Sequence, residues 1–383
     1  MTGIDTAGDR RADGLAPSVA RLLALFAEQG LVRAEPAILQ PASIFLDLSG
    51  EDIRRRLYLV QDPGGRELCL RPDYTIPVSL DHLAGPRAGS RAGYCYFGPV
   101  FRHRPQQQAP GEFLQAGIEL YGDADRDAAD ADIVALSLRS LACFGLAAPE
   151  VRLGDPGLFM AFVAALGLPE PWPRRLRGSF GRPGGPAEML RGRPPAATAD
   201  RGFLTALAKA DPGAARAAVE EMVAVAGIAS IGGRSAAEIA ERLMEQAQLA
   251  SDGGLEPAAR DLLLQVASVR GGPEEALKRF TEIADSAGLD VEQDLVAFAR
   301  RLLTMAERGV PLESITFAAD FGRRLDYYTG FVFEVFDPAR RSAGQLVGGG
   351  RYDRLLSLLG APEPVPAVGC AIWIDRLTGG GRA

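Results

Sequence analysis

Asp320-Phe-Gly-Arg-Arg-Leu-Asp-Tyr-Tyr-Thr-Gly-Phe-Val-Phe-Glu-Val-Phe336, with Gly348-Gly-Gly-Arg-Tyr-Asp353 shortly after it, decides how the rest of the chain reads. Two arginines, an aspartate and paired tyrosines stand immediately before an alternating Phe/Val run, which places cationic and aromatic groups at the mouth of a sheet. Such a mouth suits a small zwitterion that carries a ring. Adjacent strand residues point to opposite faces, so of Tyr327 and Tyr328 at least one hydroxyl needs a polar partner, although a core position is the plainer reading of both. Gly348 to Gly350, taken alone, signify a flexible turn; they lack the G-x-G-x-x-G and G-x-x-x-x-G-K spacings of nucleotide loops.

Outward from this stretch the pattern is strands, then helices, then strands. Ser18 to Gln29 has helical spacing of Val19, Leu22, Leu23 and Phe26, with Gly30 as a stop. Leu57 to Gln61 and Glu67 to Arg71 flank the turn signal Asp62-Pro-Gly-Gly65. Arg91 to Arg102 and Glu112 to Tyr121 form a second hairpin around the polar loop Pro105 to Pro110, so the core sheet is expected to be antiparallel. A helix over Asp125 to Phe144 and a short strand over Val151 to Leu153 follow. From Pro169 to Pro195 the chain is rich in Pro, Gly and Arg. Ala-rich helical segments then run over Ala199 to Ala210, Ala214 to Ala226, Ser235 to Leu249 and Glu256 to Val269. Helices near Glu274 to Ala287 and Val291 to Arg308 lead back to strands at Ser314 to Ala319, through Phe336, and at Ala367 to Trp373. A helix is expected near Tyr352 to Leu359. This order fits one α+β domain over residues 1–168 and 268–383, interrupted by a helical insertion over 169–267.

Period-2 alternation in Glu112 to Tyr121 puts Leu114, Ala116, Ile118 and Leu120 on one face, and Gln115, Gly117, Glu119 and Tyr121 on the other. Gln115 and Glu119 therefore share a face, and Gly117 between them leaves room for a ligand against the backbone. A solvated strand face is the plainer reading of the same alternation. Arg102 ends its strand and offers a fork of donors to a carboxylate or phosphate. In Leu70-Arg-Pro-Asp-Tyr-Thr75, Asp73 or Thr75 reads as an N-cap.

The chain has 383 residues, 47% apolar and 24% charged, which is globular composition. Its net charge of −7 weighs against a dedicated RNA surface. The two histidines, His82 and His103, leave almost nothing for a His metal cluster or a serine triad. Cys69, Cys95, Cys143 and Cys370 lack C-x-x-C spacing and read as buried small hydrophobes. With no apolar signal core at Met1 to Pro17 and no membrane-length apolar run, a cytoplasmic location is expected.

Taken in order, L-R-P-D-Y-T, F-G-P-V-F-R, Q-x-G-I-E, R-R-L-D-Y-Y, G-G-G-R-Y-D and A-V-G-x-A-I-x-I-D-R-L resemble the successive motifs of histidyl-tRNA synthetases over nearly the whole chain apart from the helical insertion. The resemblance implies the class II synthetase antiparallel sheet, dimeric through the region near Glu35 to Phe45. It also implies roles. Asp73, in place of the family's glutamate, together with Thr75 and Gln115 would hold a histidine ammonium. Glu119 would accept from the imidazole, with Tyr327 and Tyr328 closing around the ring. Arg323 would face the carboxylate, and Arg102 would be shared between carboxylate and phosphate.

The nucleotide half departs from that pattern. Phe101-Arg-His-Arg-Pro-Gln106 is one residue shorter than F-R-x-E-R-P-Q and lacks its glutamate. Gly369-Cys-Ala-Ile-Trp-Ile-Asp-Arg376 puts Trp373 where G-F-A-M-G-L-E-R has glycine, and an indole fills the space that glycine leaves open. Arg376 is retained. Only seven residues follow Arg376, whereas the synthetases continue into an anticodon-binding domain, which is not expected here. In these departures the chain is similar to the regulatory subunits of ATP phosphoribosyltransferase. That likeness implies a non-catalytic, L-histidine-sensing homodimer within a hetero-oligomer, partnered by the short-form catalytic subunit. It implies no cofactor, metal, tRNA or membrane partner, and no catalytic residue. The rival reading is an amino-acid-activating ligase, separated from the first by ATP binding or histidine-dependent pyrophosphate exchange. A pure scaffold that has lost histidine is the third.

Overall fold

The alternating runs become twelve strands in the computed structural model, which describes residues 7–48, 54–104, 110–192, 210–225, 255–323 and 327–378. They are β1 (Val32–Arg33), β2 (Leu39–Pro41), β3 (Leu59–Gln61), β4 (Glu67–Leu70), β5 (Ala92–Phe101), β6 (Glu112–Tyr121), β7 (Glu150–Gly154), β8 (Arg270–Gly271), β9 (Ile315–Ala318), β10 (Val332–Phe336), β11 (Val347–Arg351) and β12 (Ala367–Trp373). Nine form one sheet in the order β1-β5-β6-β12-β11-β10-β7-β9-β8, and β2-β4-β3 form a second. From β5 across to β7 every pairing is antiparallel, as expected. The margins are not, because β1 runs parallel to β5 and β9 parallel to β7. The fold is α+β, an antiparallel class II-type sheet with mixed margins and helices packed on it.

Register divides the large sheet into two different faces. Phe333 pairs with Gly349, Gly349 with Cys370 and Cys370 with Ile118, so these residues share a face. That face meets the helices Arg126–Ala142, Pro156–Ala165, Pro273–Ala287 and Glu292–Glu307 through Ile133, Val134, Phe159, Phe162, Phe280, Phe298 and Leu302, all buried in one apolar cluster. Burying a side chain of this size contributes roughly 1.5–3 kcal/mol. The helices start where the chain supplies acceptors for their orphan amides: Asp125 accepts from Ala128 N at 3.2 Å, and Asp155 from Leu158 N at 3.0 Å.

Gly349 sits in the middle of this apolar face. A Cβ there would meet Phe333 Cε1 and the Cys370 side chain at 2.7 Å, as well as the Gly369 carbonyl. Gly349→Ala is therefore expected to cost about 1–3 kcal/mol by overpacking, read as a lower urea midpoint at unchanged slope. Gly348 to Gly350 are thus strand β11 and not the turn that three glycines suggest. The helix after them is the short Leu355–Leu358.

Other expectations settle nearby. The predicted Ser18 to Gln29 helix is the C-terminal part of Ala7–Glu28. Ala214 to Ala226 appears as Pro212–Val225, and Glu256 to Val269 as Pro257–Ala267. The helices expected at Ala199 to Ala210 and Ser235 to Leu249 fall largely or wholly outside the described residues, as does most of the loop Pro105 to Pro110. Leu176, Leu190, Leu263 and Val266, from within 169–267, share the apolar cluster of Phe159 and Phe162. Cys69, Cys95 and Cys370 are buried as expected, but Cys143 is only half-buried at its helix end. Among the described residues no helix is long and apolar enough to cross a membrane, and no group of three or more His, Cys, Asp or Glu is placed to hold a metal.

Candidate functional site

The other face of the sheet carries polar groups. On β6 it presents Gln115, Gly117, Glu119 and Tyr121, which lie opposite Trp373, Ala371, Gly369 and Ala367 of β12. On β5 their partners are Gly98, Tyr96, Tyr94 and Ala92. The alternation read from sequence is correct, but its plain reading is not. Gln115 is 0% and Glu119 1% exposed, so this is no solvated strand face. The helix Thr75–Ala84 and the aromatic residues Tyr74, Tyr96, Tyr327 and Tyr352 cover it.

Glycines clear the middle of the face for long side chains. The space over Gly117 is taken by the Tyr96 ring, so Gly117 makes room for a tyrosine and not, as its place between Gln115 and Glu119 suggests, for a ligand. Tyr96 in turn stacks on Tyr74 at 4.2 Å. The Glu119 carboxyl lies over Gly369 and the Arg323 guanidinium over Gly348, so any side chain at either glycine would displace the one or the other.

Glu119 is the centre of the arrangement. Thr75 Oγ1 donates to its Oε1 at 2.8 Å, and the Tyr352 hydroxyl donates to Oε2. Burial pushes the carboxyl up to about 8; the two hydroxyls oppose that rise, and the Asp73 charge adds to it. Asp73, 4% exposed, precedes the helix that carries Thr75. Its Oδ1 reaches Ile76 N only at 3.5 Å and its Oδ2 has no partner, so the capping role expected of it is weak. Thr75 does not cap either, since it is the first helical residue and its hydroxyl is spent on Glu119. Burial raises the Asp73 carboxyl, while Arg102 lowers it. Arg102 donates from Nε to the Pro72 carbonyl at 2.6 Å, which seats it beside Asp73.

Tyr327 and Tyr328 do not lie in a strand, so the opposite-faces argument fails for them. Their rings touch at 5.1 Å between centroids, and Tyr352 stands 5.7 Å from Tyr327 and 6.3 Å from Tyr328. Arg324 and Asp326 of the same run fall outside the described residues. Arg323 donates from Nη1 to Glu334 at 3.0 Å, and its Cζ is 5.8 Å from the Tyr328 centroid. Burial loosens the Arg323 proton, but Tyr328 and Glu334 outweigh it and raise the group.

The structure therefore brings Thr75 and Glu119 into contact, seats Asp73 and Arg102 together, and groups Arg323 with the paired tyrosines. Gln115 stands on the Glu119 face two alternations away. Both polar atoms of its amide are buried without a partner, as are Asp73 Oδ2 and Arg323 Nε. Buried polar atoms are nearly always satisfied, and leaving one unmade costs about 1–3 kcal/mol. Acceptors at Asp73 and Gln115 and donors at Gln115 and Arg323 are the complement of an ammonium and a carboxylate. Trp373, directly opposite Gln115, is 5% exposed and walls off that end.

Sequence reasoning missed Tyr352 and Tyr96. Tyr352 follows strand β11, so no periodicity marks it, and only its place in Gly-Gly-Gly-Arg-Tyr-Asp signalled it. Tyr96 is revealed only by the β5–β6 register.

Fold and site together define a class II synthetase-type sheet with a buried polar cluster beside an indole. The family model described as histidyl-tRNA synthetase matches residues 3–252 and 236–377. The chain is 42% identical over 362 residues to the ATP phosphoribosyltransferase regulatory subunit of Chelativorans sp. (strain BNC1), covering 94% of this chain and 95% of that one. It is 41% identical over 348 residues to the protein of that name from Brucella canis, covering 90% and 91%. In fold it resembles an ATP phosphoribosyltransferase regulatory subunit/histidyl-tRNA synthetase from Bacillus halodurans, with TM-score 0.65, 21% identity, and 100% and 82% of the two chains covered. It also resembles histidyl-tRNA synthetase from Nostoc sp. PCC 7120, with TM-score 0.62, 15% identity, and 99% and 73% covered. The chain belongs to the histidyl-tRNA synthetase family and, within it, to the ATP phosphoribosyltransferase regulatory subunits.

Proposed function

We propose that this chain is a non-catalytic regulatory subunit of short-form ATP phosphoribosyltransferase, required for the partner's activity, and that it binds L-histidine and transmits feedback inhibition to that partner. The observation that supports the reading is a set of unsatisfied buried polar atoms beside a buried indole. Buried polar atoms of Asp73, Gln115 and Arg323 have no partner, Gln115 shares the strand face of Glu119, and Trp373 occupies the position opposite Gln115. In this reading Asp73, Thr75 and Gln115 take the ammonium, Arg102 and Arg323 the carboxylate, and Glu119 the imidazole between Tyr327 and Tyr328.

Histidine changes the partner only as far as it prefers one conformation of the assembly, a coupling of roughly 1–3 kcal/mol. The phosphoribosyl chemistry resides in the partner, in the cytoplasm, without tRNA or membrane. A homodimer formed near Glu35 to Phe45 accords with Ile38 and Leu39, apolar side chains exposed to 42% and 48%. The core over 1–168 and 268–383 and the insertion over 169–267 belong to the same proposal.

Mixing the purified chain with short-form ATP phosphoribosyltransferase tests the reading. Activity is expected to rise on mixing and to fall again with added L-histidine. No activation, or histidine-dependent pyrophosphate exchange by the chain alone, would replace the regulatory subunit by a ligase or a scaffold.

A further inference from the structure

Behind Glu119 a row of hydroxyls runs from the amino-acid site into the helix Thr75–Ala84. The Tyr352 hydroxyl meets Glu119 Oε2 and also the hydroxyl of Tyr121. Tyr121 Oη lies 2.9 Å from Ser79 Oγ, which lies 2.8 Å from the Thr75 carbonyl one helical turn back. Tyr121 and Ser79 are fully buried, and Glu119 and Tyr352 nearly so, which shuts solvent out from any hydroxyl left without a partner. Burial, with the Glu119 charge adding to it, pushes both phenols well above their ordinary value, so each keeps its single proton.

Counting those protons fixes the direction of the row, since a hydroxyl donates only once. The Thr75 hydroxyl already donates to Oε1 at 2.8 Å, so a neutral Glu119 carries its proton on the Tyr352 side. That proton then goes to Tyr352, the Tyr352 proton to Tyr121, the Tyr121 proton to Ser79 and the Ser79 proton to the Thr75 carbonyl. Every donor is satisfied. When Glu119 is ionised, Tyr352 turns to donate to it, Tyr121 turns to Tyr352 and Ser79 to Tyr121. The row runs backwards, and the bond lost is the one from Ser79 Oγ to Thr75, whose carbonyl keeps its helical partner, the Ser79 N–H. Removing an oxygen from the middle treats the two states unequally. Without the Tyr121 hydroxyl the neutral state leaves the Tyr352 proton buried and unpaired, whereas the ionised state leaves only an unused lone pair, and an orphaned donor is the costlier loss.

We propose that Tyr121 and Ser79 are positioning residues for histidine binding: with Tyr352 they form a reversible hydroxyl row that keeps unliganded Glu119 neutral and turns over when the ligand takes the ionised carboxylate, its proton passing to solvent. The ligand half rests on the histidine reading of Glu119; the row itself does not. The other titratable groups facing Glu119 are Asp73 ahead of the helix, Tyr96 on β5, Tyr327 and Tyr328 before β10, and Cys370 on β12. Burial raises all five, so the phenols and the thiol stay protonated and Asp73 is the one other carboxyl among them. His82 packs on Tyr121 at 4.7 Å between centroids, but its Nδ1 meets the Tyr94 hydroxyl at 3.2 Å, its Nε2 has no partner, and burial and Arg87 hold it neutral. It is no end for the row.

Carbon-13 NMR of the full chain, labelled at the glutamate carboxyl and free of histidine, tests the row; the resonance missing from Glu119→Gln is that of Glu119, and no aspartate is labelled. The parent midpoint is expected at about 8. Tyr121→Phe and Ser79→Ala, each the loss of one oxygen, should both lower it by about one pH unit. Calorimetry then reads the ligand half: both variants should bind L-histidine roughly fivefold more tightly than the parent at pH 6.5 and equally at pH 9. Ser79→Ala carries the test alone if Tyr121→Phe does not fold. Unchanged midpoints, a parent midpoint below pH 6, or affinity reduced equally at both pH values overturn the proposal, the last because it is what loss of packing alone would give. A parent that binds no histidine overturns the histidine reading instead, and the carboxyl midpoint, which needs no ligand, tells that failure from failure of the row.

Discussion

Glu119→Gln is expected to weaken L-histidine binding at least 100-fold while leaving the unliganded chain no less stable, and at pH 8.5 more stable, than the parent. The two halves of this result have one cause. A carboxyl pushed up to about 8, from an ordinary 4.5, is a group that the unliganded fold prefers protonated. Below pH 4.5 both folded and unfolded states hold the proton, and the preference is fully present. As pH climbs toward 8 the unfolded chain releases it freely and the fold does not, so the parent loses up to a few kcal/mol that an uncharged glutamine keeps. The amide also replaces the neutral acid between Thr75 and Tyr352, offering one donor and one acceptor to two hydroxyls that can turn to meet them.

Ligand binding reverses the preference. An imidazole N–H bonds most strongly to an ionised Glu119, and glutamine offers an acceptor without that charge; losing a buried charge-assisted bond costs about 2–5 kcal/mol, which sets the 100-fold figure. For the parent, histidine affinity should accordingly rise roughly tenfold between pH 6.5 and 8 and flatten above it. Calorimetry at both pH values, with urea unfolding at pH 8.5, reads all of this. Affinity within threefold of the parent in Glu119→Gln removes Glu119 from the ligand site.

How far the sequence reveals such a site depends on which interactions are local. Gln115 and Glu119 share a face because a strand alternates, and that was readable from ten residues. Their burial was not, since it is imposed by Tyr74, Tyr96 and Tyr352, which come from three separate elements. Gly117 shows the same limit. A missing side chain signals close approach, but the approaching group is set by the register of β5, which pairs Tyr96 with it. Gly348 to Gly350 favour a turn by intrinsic preference, and tertiary packing overrides it. Phe333 and Cys370 close over one side of β11 and Arg323 over the other, which leaves no volume for anything but glycine. The parallel margins were illegible for a simpler reason: β1 is two residues long and carries no period, and the four residues of β9 do not say which way they run against β7. Trp373 was conspicuous as a residue, yet its position opposite Gln115 emerges only from the β6–β12 pairing.

Asp130→Ala should be the most damaging single change to stability, at about 3–5 kcal/mol, because it strips a shared counter-ion from two buried guanidiniums. Asp130 is 0% exposed. Arg351 Nε donates to its Oδ1 at 2.8 Å, and Arg301 Nε to its Oδ2 at 2.9 Å. Arg301 also donates to Asp155 at 2.6 Å, and Arg351 to Asp353 at 2.8 Å. Burial alone would loosen the Arg301 proton, but Asp155 and Asp130 outweigh it and hold the group firmly charged. Truncating Asp130 thus leaves Arg301 with Asp155 and a longer contact to Asp127, and Arg351 with Asp353 and the Arg126 carbonyl, and neither has a route to neutrality. These bonds tie the helices Arg126–Ala142 and Glu292–Glu307 to the end of β11, and the residue after Arg351 is Tyr352, whose hydroxyl donates to Glu119. Asp130→Ala is therefore also expected to weaken histidine binding without touching the ligand. Asp130→Asn, which keeps one acceptor and the shape, should fall between Asp130→Ala and the parent in both respects. Equilibrium urea unfolding of the three chains, followed by histidine titration at pH 8, measures the two effects together. A loss below about 1 kcal/mol in Asp130→Ala is what an exposed ion pair would give, and it would mean that the network neither holds the helices to the sheet nor sets the position of Tyr352.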